Sequence, residues 1–150
     1  MKIKICGLKF KSNILGLSKL EPDYMGFIFW EKSKRYIKGA TPNLSQTKIK
    51  KTGVFVNADF ERVEEIINIH KLAAVQFHGI ESPDFCKKIK KSGVEIIKAF
   101  SIDENFNFDI LENYELCCEY FLFDTKGKYP GGNGISFDWE ILKKYKYKKK

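Results

Sequence analysis

The chain has 150 residues, 43% apolar and 15% aromatic with only four prolines, a composition that fits one folded domain and excludes an intrinsically disordered chain. Its net charge of +8 invites a nucleic-acid reading, but six lysines stand in the final KKYKYKKK and subtracting them leaves +2, so the basicity belongs to a solvated tail and no nucleic-acid partner is expected. No run approaches the roughly 18 to 20 apolar residues of a membrane span, and the start MKIKICGLKF has no long apolar stretch, so the expected location is cytoplasmic with no membrane partner.

Short apolar runs alternate with amphipathic segments from end to end, the pattern of an α/β protein with a parallel sheet. The first strand is expected at 2–6 (KIKIC), followed by a helix over 12–20 whose periodicity Gly16 dilutes. A second strand at 23–29 (DYMGFIF) leads into the charged loop WEKSKRY, and a helix is expected at 43–50. Strand three, 52–56 (TGVFV), precedes a helix at 59–70, where Val63, Ile66 and Ile67 fall at helical spacing behind the capping residue Asp59. Strand four, 73–77 (AAVQF), precedes a helix that Ser82 caps, Pro83 opens and Gly93 stops. Strands five and six are expected at 94–100 and 119–123, with a helix over 104–117 between them. A glycine-rich loop at 125–136 (TKGKYPGGNGIS) and a helix over 137–145 complete the chain.

An open doubly wound sheet and a barrel share this alternation. The first strand-to-helix turn, CGLKFKS, has neither the GxGxxG of a dinucleotide fold nor the GxxxxGK[ST] of a P-loop, which weakens a nucleotide-binding reading. Strand side chains alternate between faces, so Lys4 and Cys6 share one face, Gln76 and His78 another, and Asp124 lies opposite Phe123. Each polar set sits at or just past the carboxyl end of its strand, where a parallel barrel builds its active site. Taken singly, Cys6 also reads as a small buried hydrophobe, His78 as a loop histidine and Asp124 as a turn cap. Lys4 and Lys98 are charges within strands, which are rarely buried without a partner or ligand. The four cysteines, Cys6, Cys86, Cys117 and Cys118, include an adjacent pair ill suited to a disulfide framework and read as free thiols. They lack CxxC spacing, the only histidines are His70 and His78, and no metal is expected.

Six segments, in order, carry a resemblance: KICGL at 4–8, GFIFWEKSKRYI at 26–37, GVFVN at 53–57, AVQFHGIESPDFC at 74–86, IKAF at 97–100 and FDTKGKYPGGNGISFDW at 123–139. Together they resemble the phosphoribosylanthranilate isomerase family over nearly the whole chain. The resemblance implies a (β/α)8 TIM barrel and an Amadori rearrangement in tryptophan biosynthesis. That reaction converts N-(5-phosphoribosyl)anthranilate into 1-(o-carboxyphenylamino)-1-deoxyribulose 5-phosphate, with a small phosphorylated molecule as partner and no cofactor or metal. It implies Cys6 as general base, Asp124 as general acid and Arg35 as the group holding the anthranilate carboxylate, with His78 and Lys4 as further substrate-binding residues. Opening the ribose ring requires a proton on its oxygen, and the Schiff base must then lose one from C2, so acid and base must face each other across the sugar. Asp124 must start protonated, which an apolar barrel mouth favours, and Lys4 on the same face assists the Cys6 thiolate.

Six strands do not close an eight-stranded barrel, so residues 1–150 are expected to form a single incomplete barrel domain of units one to six, with units seven and eight absent. In the family those two units carry the SGG-type and SSG-type turns that bind phosphate. A chain without them is expected to be inactive alone, and the lysine-coding KKYKYKKK is a natural place for a premature end. The alternatives are a barrel fragment that needs a complementary chain and another ribulose-phosphate-binding barrel, such as indole-glycerol-phosphate synthase. The latter does not explain KICG together with FDT.

Overall fold

Each strand lies parallel to the one before it. The computed structural model describes residues 1–127 and 136–147. Its strands are β1 (Lys4–Cys6), β2 (Tyr24–Ile28), β3 (Lys50–Phe55), β4 (Ala74–Phe77), β5 (Glu95–Ile102) and β6 (Tyr120–Thr125), joined in one six-stranded sheet whose spatial order is the chain order. All six expected strands are present.

The sheet is curled. Tyr24 on β2 donates its hydroxyl to Glu95 on β5 at 2.8 Å, and its ring meets that of Tyr120 on β6 edge-on with centroids 6.1 Å apart. In a flat sheet, with strands about 4.8 Å apart, β2 and β6 would stand about 19 Å from each other. The contact therefore requires the sheet to bend into most of a cylinder, an incomplete (β/α)8 barrel with β1 and β6 as its edges among the described residues. Lys50 on β3 joins the same cluster through an ion pair with Glu95. Register explains the cluster: Tyr24 pairs with Lys50, and the interior layer above it contains Gly26 and Thr52, partners in the next register step but one.

Three α-helices pack outside: α1 (Lys11–Ser18), α2 (Phe60–His70) and α3 (Pro83–Lys90). The side chains of Asp59 and Ser82 accept from the backbone N–H of Arg62 and Phe85, the expected caps of α2 and α3. The core has two parts. Phe55, Val63, Phe77, Ile89, Ile96 and their neighbours fill the space between β3–β6 and helices α2 and α3, while Leu8, Ile14, Met25, Phe27 and Ile37 form a smaller cluster under α1.

Three of the expected helices differ. Residues 43–50 form turns, and β3 already begins at Lys50. Here Thr47 donates its hydroxyl to Leu44 O, Ile49 N donates to Thr47 Oγ1, and Ser45 N donates to Asn43 Oδ1, local bonds that compete with a helix ladder. The helices expected at 104–117 and 137–145 are 3-10 helices, Phe108–Tyr114 and Trp139–Lys144. Of the glycine-rich loop at 125–136, Thr125 ends β6 and residues 128–135 lie outside the described residues. Among the described residues, no helix is long and apolar enough to cross a membrane.

Candidate active site

A cleft of about 650 Å³ opens at the carboxyl ends of the strands, lined by Lys4, Cys6, Arg35, His78 and Asp124 among others. All five candidate site residues therefore meet in one place. Cys6 comes from β1 and Asp124 from β6, the two edges of the sheet, and only the curl brings them to a common space.

Two glycines make the β1 side possible. Gly26 pairs with Cys6 across the β1–β2 ladder. A Cβ on Gly26 would sit 2.8 Å from Cys6 Sγ and 3.1 Å from Lys4 Nζ, so the thiol and the ammonium crowd over the one strand position without a side chain. That closeness puts a cation beside the exposed Cys6 thiol. Gly7 has φ +82°, a left-handed conformation that favours glycine, and a Cβ there would meet Arg35 Nη1 at 2.4 Å. Arg35 fills this gap and donates from Nη1 to Cys6 O at 3.3 Å.

The loop that carries Arg35 is folded back onto β2. Ile28 forms a bridge with Tyr36, Ile37 N donates to Ile28 O at 3.0 Å, and Arg35 N donates to Ser33 Oγ at 3.1 Å. Lys32, Ser33, Lys34 and Trp30 from this loop also line the cleft, so a segment that reads in isolation as a solvated charge run is a wall of the site.

On the far side, Gln76 and His78 project inward from the end of β4. Gln76 Nε2 lies 3.4 Å from His78 Nδ1, and a proton donated there leaves His78 Nε2 as the N–H that faces Asp124 Oδ2 at 3.4 Å. That contact lacks hydrogen-bond geometry, so His78 Nε2 and Gln76 Oε1 are buried polar atoms without a hydrogen-bond partner, both in residues lining the cleft. Such atoms are costly unless a ligand or water meets them. Burial pushes the His78 pKa below its ordinary value, against the upward pull of Asp124 and with Lys98 and Lys4 adding to the fall.

Lys98 is not in the cleft. It pairs in register with Phe77, on the face opposite Gln76, and is buried behind the sheet. Its ammonium donates to Gly79 O at 2.8 Å and Ala99 O at 2.9 Å and lies 3.5 Å from Glu81 Oε2. Glu81 in turn accepts from Asn57 N and Gly79 N. This network ties the turn after His78 to the end of β3. Glu81 stands within the segment AVQFHGIESPDFC, which gives it no role; the signal for it is the strand lysine itself, a charge that needs an anion.

All four cysteines are free thiols, as their spacing suggests. Sequence spacing does not show that Cys86, Cys117 and Cys118 converge, with their sulfurs all within 4.8 Å of one another.

Residues 3–150 match the family model of N-(5'-phosphoribosyl)anthranilate isomerase. The N-(5'-phosphoribosyl)anthranilate isomerase of Parabacteroides distasonis is 41% identical, over 97% of this chain and 68% of its own length. The crystal structure of phosphoribosyl anthranilate isomerase from Thermotoga maritima superposes with a TM-score of 0.77 at 32% identity, covering 97% of this chain and 71% of that one. Another solved isomerase, in complex with reduced 1-(o-carboxyphenylamino)-1-deoxyribulose 5-phosphate, superposes with a TM-score of 0.72 at 29% identity, over 97% and 70% of the two chains. Sequence match and barrel geometry agree across the segments that build the cleft, and this chain belongs to the N-(5'-phosphoribosyl)anthranilate isomerase family.

Proposed function

We propose that the cleft performs the family's aldose-to-ketose isomerisation, with Asp124 as general acid and Cys6 as general base. The observation that supports this most directly is the placement of these two groups, from opposite edges of the sheet, on the walls of one cleft that Arg35 also lines, bonded to the Cys6 carbonyl. Asp124 gives its proton to the ring oxygen of the aminoaldose as the ring opens to a Schiff base. Cys6, with the Lys4 ammonium beside it, removes the C2 proton, and the enol that results tautomerises to the aminoketose. No atom is gained or lost, so the chemistry needs only proton movement.

Arg35 suits the anthranilate carboxylate because its planar guanidinium can bind two oxygens at once. Ile28, Trp30, Val54 and Leu122 give the cleft apolar surface for the aromatic ring. Neutral His78, with its Nε2 buried and unpartnered 3.4 Å from Asp124 Oδ2, has a proton to offer a sugar hydroxyl beside the acid. The free thiols suit a reducing compartment, and we place the enzyme in the cytoplasm.

The test has two readouts. Turnover is followed as loss of phosphoribosylanthranilate fluorescence, on the chain alone and on the chain extended by the remaining third of the Parabacteroides relative. Binding of the reduced product analogue is measured by calorimetry. Cys6→Ala and Asp124→Asn should each lower turnover at least about 100-fold while the analogue still binds, as expected for loss of a general base or acid. Turnover within a few-fold of the parent in either variant removes that residue from the mechanism.

A further inference from the structure

We infer that Cys86, Cys117 and Cys118 form a binding site for one thiophilic monovalent cation, copper(I), on the helix side of the sheet and separate from the cleft. Cys86 lies on α3, and Cys117 and Cys118 occupy the turn leading into β6. All three are fully buried, and their sulfurs lie within 4.8 Å of one another, with Cys117 Sγ and Cys118 Sγ 3.8 Å apart. Three sulfurs set about 2.3 Å from a central ion in a trigonal array stand about 4 Å from each other. The thiols are thus already near the spacing of a three-thiolate site, and a small contraction completes it.

The backbone holds two of the ligands in place. Cys117 N and Cys118 N both donate to Tyr114 O at 3.1 Å, which fixes a turn that presents neighbouring thiols to the third on α3. Ligand number and softness choose the ion. Thiolates select copper(I), zinc and iron–sulfur centres, and structural zinc wants four ligands. Among the described residues, no fourth cysteine, histidine or carboxylate joins the group. Three soft donors without a fourth fit copper(I).

Three thiolates around one monovalent ion carry a net charge of about −2, since each thiol gives up its proton to solvent on binding. Lys98 lies within electrostatic reach of Cys86 and Cys118, and Lys87 and Lys90 within reach of Cys117. Each of these lysines is itself paired with a carboxylate, Lys98 with Glu81, Lys87 with Asp84 and Lys90 with Glu119, so the charge that offsets the buried thiolates directly is that of the bound ion.

The experiment takes the whole reduced chain, without oxygen, and offers copper(I) as its bicinchoninate complex. The expected result is one copper per chain with ultraviolet thiolate-to-copper absorption, an affinity at least 100-fold lower in Cys118→Ala, and unchanged copper binding in Cys6→Ala. X-ray absorption on the copper-loaded parent protein should show three sulfur neighbours, a readout that stands even where Cys118→Ala does not fold. No transfer from the chelator, fewer than three sulfur neighbours, loss of binding in Cys6→Ala, or preferential retention of zinc would each overturn the assignment.

Discussion

Lys98 and Glu81 face each other 3.5 Å apart with their side chains 3% and 2% exposed, a buried ion pair behind the strand turn that carries His78. Removing one partner of such a pair leaves the other charge buried and uncompensated, which costs about 3 kcal/mol or more. Lys98→Met should therefore lower Tm by about 10 °C in a chain of this size. Adding Glu81→Gln should recover part of that loss. Thermal unfolding of the two variants checks this, and a Lys98→Met protein as stable as its parent would show that the pair contributes nothing.

Gly26→Ala would place a Cβ 2.8 Å from Cys6 Sγ and 3.2 Å from Cys6 Cα. The thiol can swing away but the backbone cannot. The reacting sulfur is displaced by a fraction of an ångström to an ångström, and misplacement on that scale costs up to about 100-fold in rate. The expected outcome is a turnover lowered about 10- to 100-fold, with product-analogue binding largely kept. Equal losses in binding and turnover would point instead to a collapsed cleft.

Arg35→Lys keeps the positive charge and loses the two-pronged grip. KM should rise about 10-fold while kcat stays within about 3-fold, the pattern of lost uniform binding. Steady-state kinetics decides it; an unchanged KM would shift the carboxylate to Lys34, which also lines the cleft.

His78 gives stability a pH dependence of known sign. Burial holds its folded pKa below the ordinary histidine value of about 6.5, so in the folded chain it stays neutral where the unfolded chain has begun to take a proton. Stability is full above about pH 6.5, declines as pH falls below it, and levels off once pH passes the folded value. His70, lowered first by burial and then by Lys51 and Arg62, acts in the same direction. Tm measured from pH 7.5 to 5 should fall, and His78→Gln should flatten part of that fall. An identical slope in the variant would assign the effect to other groups.

The six strands, the caps at Asp59 and Ser82 and the cleft positions of Lys4, Cys6, His78 and Asp124 are legible in the sequence because each rests on a local signal, alternation, capping chemistry or a place at a strand end, whereas Arg35 stands in a loop that reads as a solvated charge run and is marked only by the family resemblance. What is not legible depends on distance. The stretch at 43–50 reads as a helix until Thr47 and Asn43 bond their own backbone neighbours. Lys98 reads as a strand lysine that needs a partner, but parity alone cannot show that its partner is Glu81 on the helix side rather than a ligand on the cleft side. Cys86 is one strand and one 3-10 helix removed from Cys117 in sequence, so their convergence depends on how α3 docks on the turn before β6.

The spatial order of the strands repeats their order along the chain. A nascent chain can thus lay down each unit against the one just made, with a growing edge at every stage and short loops to close at each step. Folding by accretion of this kind makes structure early and chemistry late. Cys6 stands on the first strand and Asp124 on the sixth, so a chain that has reached only the fifth strand holds one of these two cleft residues without the other.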